Sequence, residues 1–177
     1  MADNIIIAGF GGQGVLVLGQ MLTYSGMIED KAVSWFPSYG PEQRGGTCNC
    51  SVVIAEEEIG SPLVTVPTTA IVMNAPSFDR FEPTVGKDGL LIYNSSLIDK
   101  KSERDDIRVI AVPANEIAEE LGNARVANMV LLGTLIEATN VIKTESVETA
   151  LKNVLSERHH NLIPLNMQAL GRGRAYQ

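Results

Sequence analysis

Cysteine and histidine are nearly absent from this chain of 177 residues: Cys48, Cys50, His159 and His160 are all it has. An iron–sulfur cluster or a structural zinc wants about four ligands, so neither is expected here. A C-x-C pair on a strand puts both thiols on one face, and we read Cys48 and Cys50 as small buried or interface residues rather than as a metal or redox pair. Also missing are a G-x-S-x-G elbow, an H-E-x-x-H pair and a G-K-[ST] after a glycine loop, which leaves no complete nucleophile–base pair, metal cluster or cofactor anchor. The expected catalytic and metal sets are therefore both none.

Basic charge is short as well, with 14 Lys and Arg against 21 Asp and Glu, a net charge of −7. Such a surface repels phosphate backbones and anionic lipids, so neither nucleic acid nor a membrane is an expected partner. Long apolar runs are lacking too. Val126 to Ile136 is about half of what spans a bilayer and is interrupted by Asn128 and Thr134. The start, Met1-Ala2-Asp3-Asn4, has no basic region ahead of its apolar run and does not read as a signal peptide. A cytoplasmic location is expected. The length fits one globular domain, 1–177.

What is present centres on Asn4 to Ser25. Ile5, Ile6 and Ile7 form an uninterrupted β-branched run, as in a strand covered on both faces of a parallel sheet. Gly9, Gly11 and Gly14 follow in a G-x-G-x-x-G pattern with Gly12 and Gln13 inside it, and apolar residues then resume at helical spacing. Strand, glycine loop and helix in that order offer an anion the free N–H groups and positive end of a helix dipole. The plainer reading is that the glycines let helix and strand pack closely. A dinucleotide is discounted, because that reading needs an acidic residue about 20 positions on, at the tip of the second strand. The second strand, Lys31 to Phe36, ends instead in Ser34-Trp35-Phe36-Pro37, and Glu29 and Asp30 precede it.

Further along, Asn49 to Ala55, Ala70 to Asn74, Gly89 to Ser95 and Ile107 to Pro113 read as strands. Helices are expected from Ser77 as cap through Phe81, from Asn115 as cap to Gly122, over Val126 to Thr139, over Glu145 to Glu157 and over Asn161 to Leu170. The Val126 to Thr139 helix is apolar nearly all round and so is expected to be buried, against the sheet and other helices or against another subunit. Gly171-Arg172-Gly173-Arg174 reads as a frayed tail. This alternation gives an α/β fold, a three-layer Rossmann-like domain with a mainly parallel sheet.

The second unusual stretch is Pro37 to Gly46, with Pro37, Pro41, Gly40, Gly45 and Gly46 in it, an irregular loop by composition. Tyr39, Glu42 and Arg44 lie among these residues. Arg44 sits before two glycines, so its guanidinium is free to meet a carboxylate or phosphate bidentately. Glu42 either shares that role or pairs with Arg44 and stiffens the loop. Asp88-Gly89 with Asn115 resembles a thiamine-diphosphate magnesium motif, but Lys87 stands where that motif has glycine, and the pair reads better as a turn.

Taken together, Gly9-Phe10-Gly11-Gly12-Gln13-Gly14-Val15 and Ser38-Tyr39-Gly40-Pro41-Glu42-Gln43-Arg44-Gly45-Gly46 closely resemble the gamma subunit, or pyruvate/ketoisovalerate oxidoreductase gamma-type domain, of 2-oxoacid:ferredoxin oxidoreductases. Pro62, the strand through Asn74 and Pro76, the Pro113-Ala114 strand end and Ala127-Asn128-Met129-Val130-Leu131-Leu132-Gly133 extend the likeness. The resemblance implies one subunit of an enzyme that oxidatively decarboxylates a 2-oxoacid with coenzyme A to acyl-CoA, carbon dioxide and reduced ferredoxin, inactive alone. It places thiamine diphosphate, magnesium and iron–sulfur clusters in partner alpha, beta and ferredoxin-like delta subunits, with ferredoxin as a further partner. For this chain it leaves assembly, cover for the active site and a grip on coenzyme A, with Gly9, Gly11, Gly12, Gln13, Gly14, Tyr39, Arg44, Gly45 and Gly46 as binding residues. The loop from Tyr39 to Gly46 is most like that of 2-oxoglutarate enzymes, and branched-chain and indolepyruvate enzymes remain alternatives. From other classes, a stand-alone nucleotide-binding module and a purely structural scaffold stay open.

Overall fold

A computed structural model describes residues 2–39, the last by its backbone alone, and 46–176. Six strands, β1 (Asp3–Phe10), β2 (Ala32–Tyr39), β3 (Thr47–Ala55), β4 (Thr69–Val72), β5 (Leu90–Asn94) and β6 (Arg108–Val112), form one sheet in the order β2-β3-β1-β4-β5-β6. The pairs β1–β4, β4–β5 and β5–β6 are parallel. β3 alone runs against its neighbours β1 and β2. The expected parallel sheet is thus met except at β3, for which chain length is the reason: a parallel crossover takes about a dozen residues or more, and only 40–46 separate β2 from β3. β2 also runs on through Pro37 to Tyr39, with Pro37 opposite Cys50, so the irregular stretch is shorter than expected. Proline is tolerated there because β2 is an edge strand.

The strand period of two assigns the residues of β1 to opposite cores. Ile5 and Ile7 join Leu18, Met21, Leu22, Cys50 and Val52 on one face, while Ile6 and Ala8 join Val72, Phe78, Phe81 and Tyr93 on the other. The first core is roofed by α1 (Val15–Ile28), α3 (Ala114–Glu120), α4 (Ala127–Thr139), α5 (Thr144–Val154) and α6 (Ile163–Arg174). The second is closed by α2 (Ala75–Phe81), whose Phe78 ring meets Tyr93 edge to face at 5.3 Å. Three layers result, of unequal weight. Cys48 and Cys50 both lie in the first core, and burial pushes the Cys50 thiol up to about 12.

Helix ends depart from expectation in instructive ways. Asn74, not Ser77, caps α2: its Oδ1 accepts the Ser77 N–H at 2.8 Å, and proline occupies the first turn where a missing donor costs nothing. Asn115 is inside α3, which Pro113 precedes. Gly122 ends α3 with φ of 82°, as a C-terminal glycine should. α4 is buried from Asn128 to Ile136, within this chain's own layers of α3, α6 and β5.

The expected frayed tail is helix through Arg174. A Cβ on Gly173 would collide with the Val130 carbonyl, and one on Gly133 with the Leu170 carbonyl. The two glycines let α4 and α6 cross at backbone contact, and Thr134 Oγ1 donates across the crossing to the Gly173 carbonyl at 2.8 Å. Exposed pairs Arg172–Glu120 and Arg174–Glu137, at 2.6 and 2.7 Å, add less than about 1 kcal/mol each. Backbone interlock is what orders this segment.

Candidate functional site

β1 ends at Phe10, and Gly11 to Gly14 turn the chain into α1. Gly12 and Gly14 hold φ of 99° and 80°, the left-handed side that a residue with a Cβ adopts only at a cost. Gly14 is the N-cap of α1, which has no side-chain cap and no acidic residue in its first turn. Among the described residues no side chain caps its first N–H groups. Gln13 folds back over the turn: Oε1 accepts the Phe10 N–H at 2.6 Å and Nε2 donates to the Met73 carbonyl at 3.2 Å. That side chain stitches the rim of β1 to the end of β4, and a Cβ on Gly9 would sit 2.6 Å from its Oε1. The Gly11 N–H donates to the Gly46 carbonyl at 3.0 Å, which joins the two glycine-rich stretches directly.

Beside this rim opens a cleft of about 240 Å³ whose wall includes Gly12, Gln13, Asn94, Asn115, Arg125 and Asn128. It lies at the carboxyl ends of β1, β4 and β5 and at the amino ends of α1, α3 and α4. Open α/β sheets bind ligands in such a place, and helix amino ends there favour negative charge. Arg125, exposed on the one-turn 3-10 segment Ala124–Val126 before α4, adds a positive charge. Asn94 is 2% exposed. Its Oδ1 accepts from the Ala114 and Ser96 N–H groups at 3.2 and 3.3 Å, so a side chain from β5 supplies the cap of α3. Its Nδ2 donates to Asn115 Oδ1 at 2.7 Å. Asn128 Nδ2 donates to the Gly14 carbonyl at 3.3 Å and lies 2.5 Å from where a Gly14 Cβ would be.

Of the residues singled out from sequence, Gly9, Gly11, Gly12, Gln13, Gly14 and Gly46 meet at this rim. Gln13 spends its amide on the backbone and acts as a brace. Tyr39 ends β2, with only its backbone described, while Glu42, Arg44 and Gly45 lie outside the described residues. Asp88 stands at the opposite end of β5 from Asn115, in a turn with φ of 61°, so those two do not form a magnesium site. Sequence reading passed over Met73, Asn94 and Arg125. Asn94 had a signal, an uncharged polar residue closing an apolar strand, and Asn74 repeats it one strand away. Arg125 had none.

Among the described residues no three His, Cys, Asp or Glu side chains stand together as metal ligands, and no helix is long and apolar enough to cross a membrane.

Sheet order, glycine turn and rim cleft define a Rossmann-like α/β domain with an anion-favouring edge. A sequence model for pyruvate ferredoxin/flavodoxin oxidoreductase matches residues 4–176, and the chain belongs to that family. It is 40% identical over 171 residues to the ketoisovalerate oxidoreductase subunit VorA of Methanothermobacter marburgensis, a match covering 96% of this chain and 35% of that one. The chain thus spans about a third of the length of that relative. With the 2-oxoglutarate synthase subunit KorC of Methanocaldococcus jannaschii it shares 33% over 154 residues, 85% of this chain and 82% of the other. The gamma subunit of a keto/oxoacid ferredoxin oxidoreductase from Geobacter sulfurreducens superposes with a TM-score of 0.80 at 27% identity, over 96% of this chain and 95% of that one.

Proposed function

We propose that this chain, 1–177 as one gamma-type domain, is the gamma subunit of a cytoplasmic 2-oxoacid:ferredoxin oxidoreductase, acting on 2-oxoglutarate. The whole enzyme oxidatively decarboxylates the 2-oxoacid with coenzyme A to acyl-CoA, carbon dioxide and reduced ferredoxin. Its partners are the alpha, beta and ferredoxin-like delta subunits and ferredoxin. Thiamine diphosphate, magnesium and iron–sulfur clusters belong to the partner subunits. Two buried thiols and scattered carboxylates do not fit a cluster or a divalent metal in the described part of this chain, and no step is assigned here to those groups.

The chain's own task is to hold part of coenzyme A. The observation that carries this is the Gly11–Gly46 hydrogen bond, which ties Gly46 to the turn that leads into α1. A pyrophosphate at the start of α1 would accept N–H groups that no described side chain caps, with Arg44 as its bidentate partner. The neighbouring cleft of about 240 Å³ is below the roughly 300 to 1,000 Å³ of pockets that enclose a drug-sized ligand. It takes one portion of the cofactor and leaves the rest to a sister subunit. The 40% identity to VorA favours a second substrate reading, the branched-chain 2-oxoacid ketoisovalerate.

The test is steady-state kinetics of the assembled enzyme with wild-type chain and with Arg44→Ala. Loss of one charge-assisted contact, about 1 to 3 kcal/mol, raises the apparent KM for coenzyme A between about fivefold and a hundredfold or more. An unchanged coenzyme A dependence removes Arg44 from the site. Turnover with 2-oxoglutarate against ketoisovalerate decides the 2-oxoacid.

A further inference from the structure

The two edges of the sheet are built differently. β6 is five residues long, begins with Arg108 and follows Asp105 and Asp106, the short and charged form in which an edge resists pairing with another chain. β2 is eight residues long and has no charged residue in it, and among the described residues no strand lies on its outer side. Pro37 is the one guard in its sequence. α1, which leads into β2, also lacks Asp, Glu, Lys and Arg from Val15 to Ile28. Its Tyr24, Met27 and Ile28 are exposed at i, i+3 and i+4, so they form one patch. Gly26 beside them rests on Val33 of β2, whose Cγ1 is 2.6 Å from where a glycine Cβ would be, which sets the patch against the edge strand. Phe36 is exposed on the face of β2 opposite Trp35, and no residue of β2 or β3 joins the core under α2. From the outside of α1 round to Phe36 the edge is uncharged, with apolar side chains on both faces. The strap 99–108 that leads into β6 is the reverse, with eight charged residues in ten.

We infer that this edge, β2 with the outer side of α1, seats the chain on a larger sister chain of the same enzyme, whose own contact face is uncharged and apolar and adds a strand to β2. The inference rests on the gamma-subunit reading and deepens it. A charge at the centre of an interface must be stripped of water, and interface centres are depleted of charge for that reason. Here a chain of net charge −7 keeps every carboxylate out of α1 and β2. An open strand edge gives a partner main-chain hydrogen bonds, and the flanking side chains give the fit. The relatives indicate the occupant. In VorA the matched stretch is about a third of one chain, whereas in KorC it is most of the chain. The same domain thus occurs joined to a longer chain and standing as its own, and the face packed on the longer part in the first case meets a separate chain in the second. Two copies of a chain of this charge repel one another, which favours a different partner. The strap 99–108, at the other edge, is left to water.

Met27→Glu and Phe36→Glu test this. Both side chains are about half exposed, 55% and 46%, so a carboxylate there keeps its water in the free chain and loses it only against a partner. Lys101→Glu, in the charged strap, is the control. Each full-length variant is expressed with a tag in its native cells, the chains carrying 2-oxoacid oxidation activity are captured with it, and they are quantified by mass spectrometry. Thermal unfolding of each purified variant is measured beside it. Wild type and Lys101→Glu should capture the larger chain equally, and each edge variant about tenfold less or lower still, with unfolding unchanged. Edge variants that capture it as wild type does overturn the inference, as does a free chain that is dimeric through this edge and loses its dimer, but not its capture, in Met27→Glu. Should the edge variants fail to fold, hydrogen exchange of the wild type decides. Amides of 24–39 slowed in the assembled enzyme relative to the free chain, with those of 99–108 unchanged, support the edge; equal exchange at 24–39 in both overturns it. A wild-type chain that captures no larger chain overturns the gamma-subunit reading and the seat with it, an outcome distinct from capture that ignores Met27 and Phe36.

Discussion

Two pairs of glycines do opposite work in this molecule. At the crossing of α4 and α6, Gly133 and Gly173 are needed because the space is full: each would drive a Cβ into a carbonyl of the other helix. At the rim, an added Cβ on Gly12 meets no described atom beyond its chain neighbours within 4 Å, and its φ of 99° is what excludes other residues. Gly14 belongs to both kinds, with φ of 80° and Asn128 packed on it. Missing side chains thus close one region and keep the other open. Only the open one is placed to bind.

Substitutions to alanine separate the two uses. Gly173→Ala sets a methyl against backbone in a filled core, and overpacking of this kind costs about 3 kcal/mol or more. Thermal unfolding should fall by about 6 °C or more, while a shift under about 2 °C would show that the helices slide apart freely. Gly14→Ala meets both backbone strain and Asn128, for about 2 to 3 kcal/mol, and coenzyme A binding should weaken with it. Gly12→Ala has room and pays for backbone sign alone, about 1 to 2 kcal/mol. An effect at Gly12 as large as that at Gly173 erases the distinction. Arg44→Ala should leave unfolding within about 0.5 kcal/mol of wild type and change coenzyme A use, the reverse of Gly173→Ala.

The same contrast shows how much was legible in the sequence. The glycine loop stood out because apolar strand, glycines and apolar helix follow one another locally, and Ile5 to Gly14 folds as that order predicts. Gly173 did not, because its reason is Val130, reached only through tertiary packing; by local rules Gly171-Arg172-Gly173-Arg174 looks like an end. β3 could be read as a strand from Val52, Val53 and Ile54, but alternation carries no direction. The bounds read from sequence left 37–48 between the two strands, about what a parallel crossover needs, and only the extension of β2 to Tyr39 and of β3 back to Thr47 shortens the connection to 40–46. Pro76 marks Asn74 as the cap of α2 in preference to Ser77. Within the site, Gly11, Gln13 and Gly14 were visible through their spacing. The amide chain from Asn94 to Asn115 was not, since a strand capping a distant helix leaves no periodic trace.

The most direct test of the central claim is to isolate the protein anaerobically from its native cells and identify by mass spectrometry what accompanies it. The account predicts larger chains carrying thiamine diphosphate and iron–sulfur clusters, with coenzyme A-dependent oxidation of a 2-oxoacid in the same fraction. A protein that emerges alone and binds a free adenine nucleotide at the glycine rim would contradict it, and would make the domain a nucleotide-binding module in its own right.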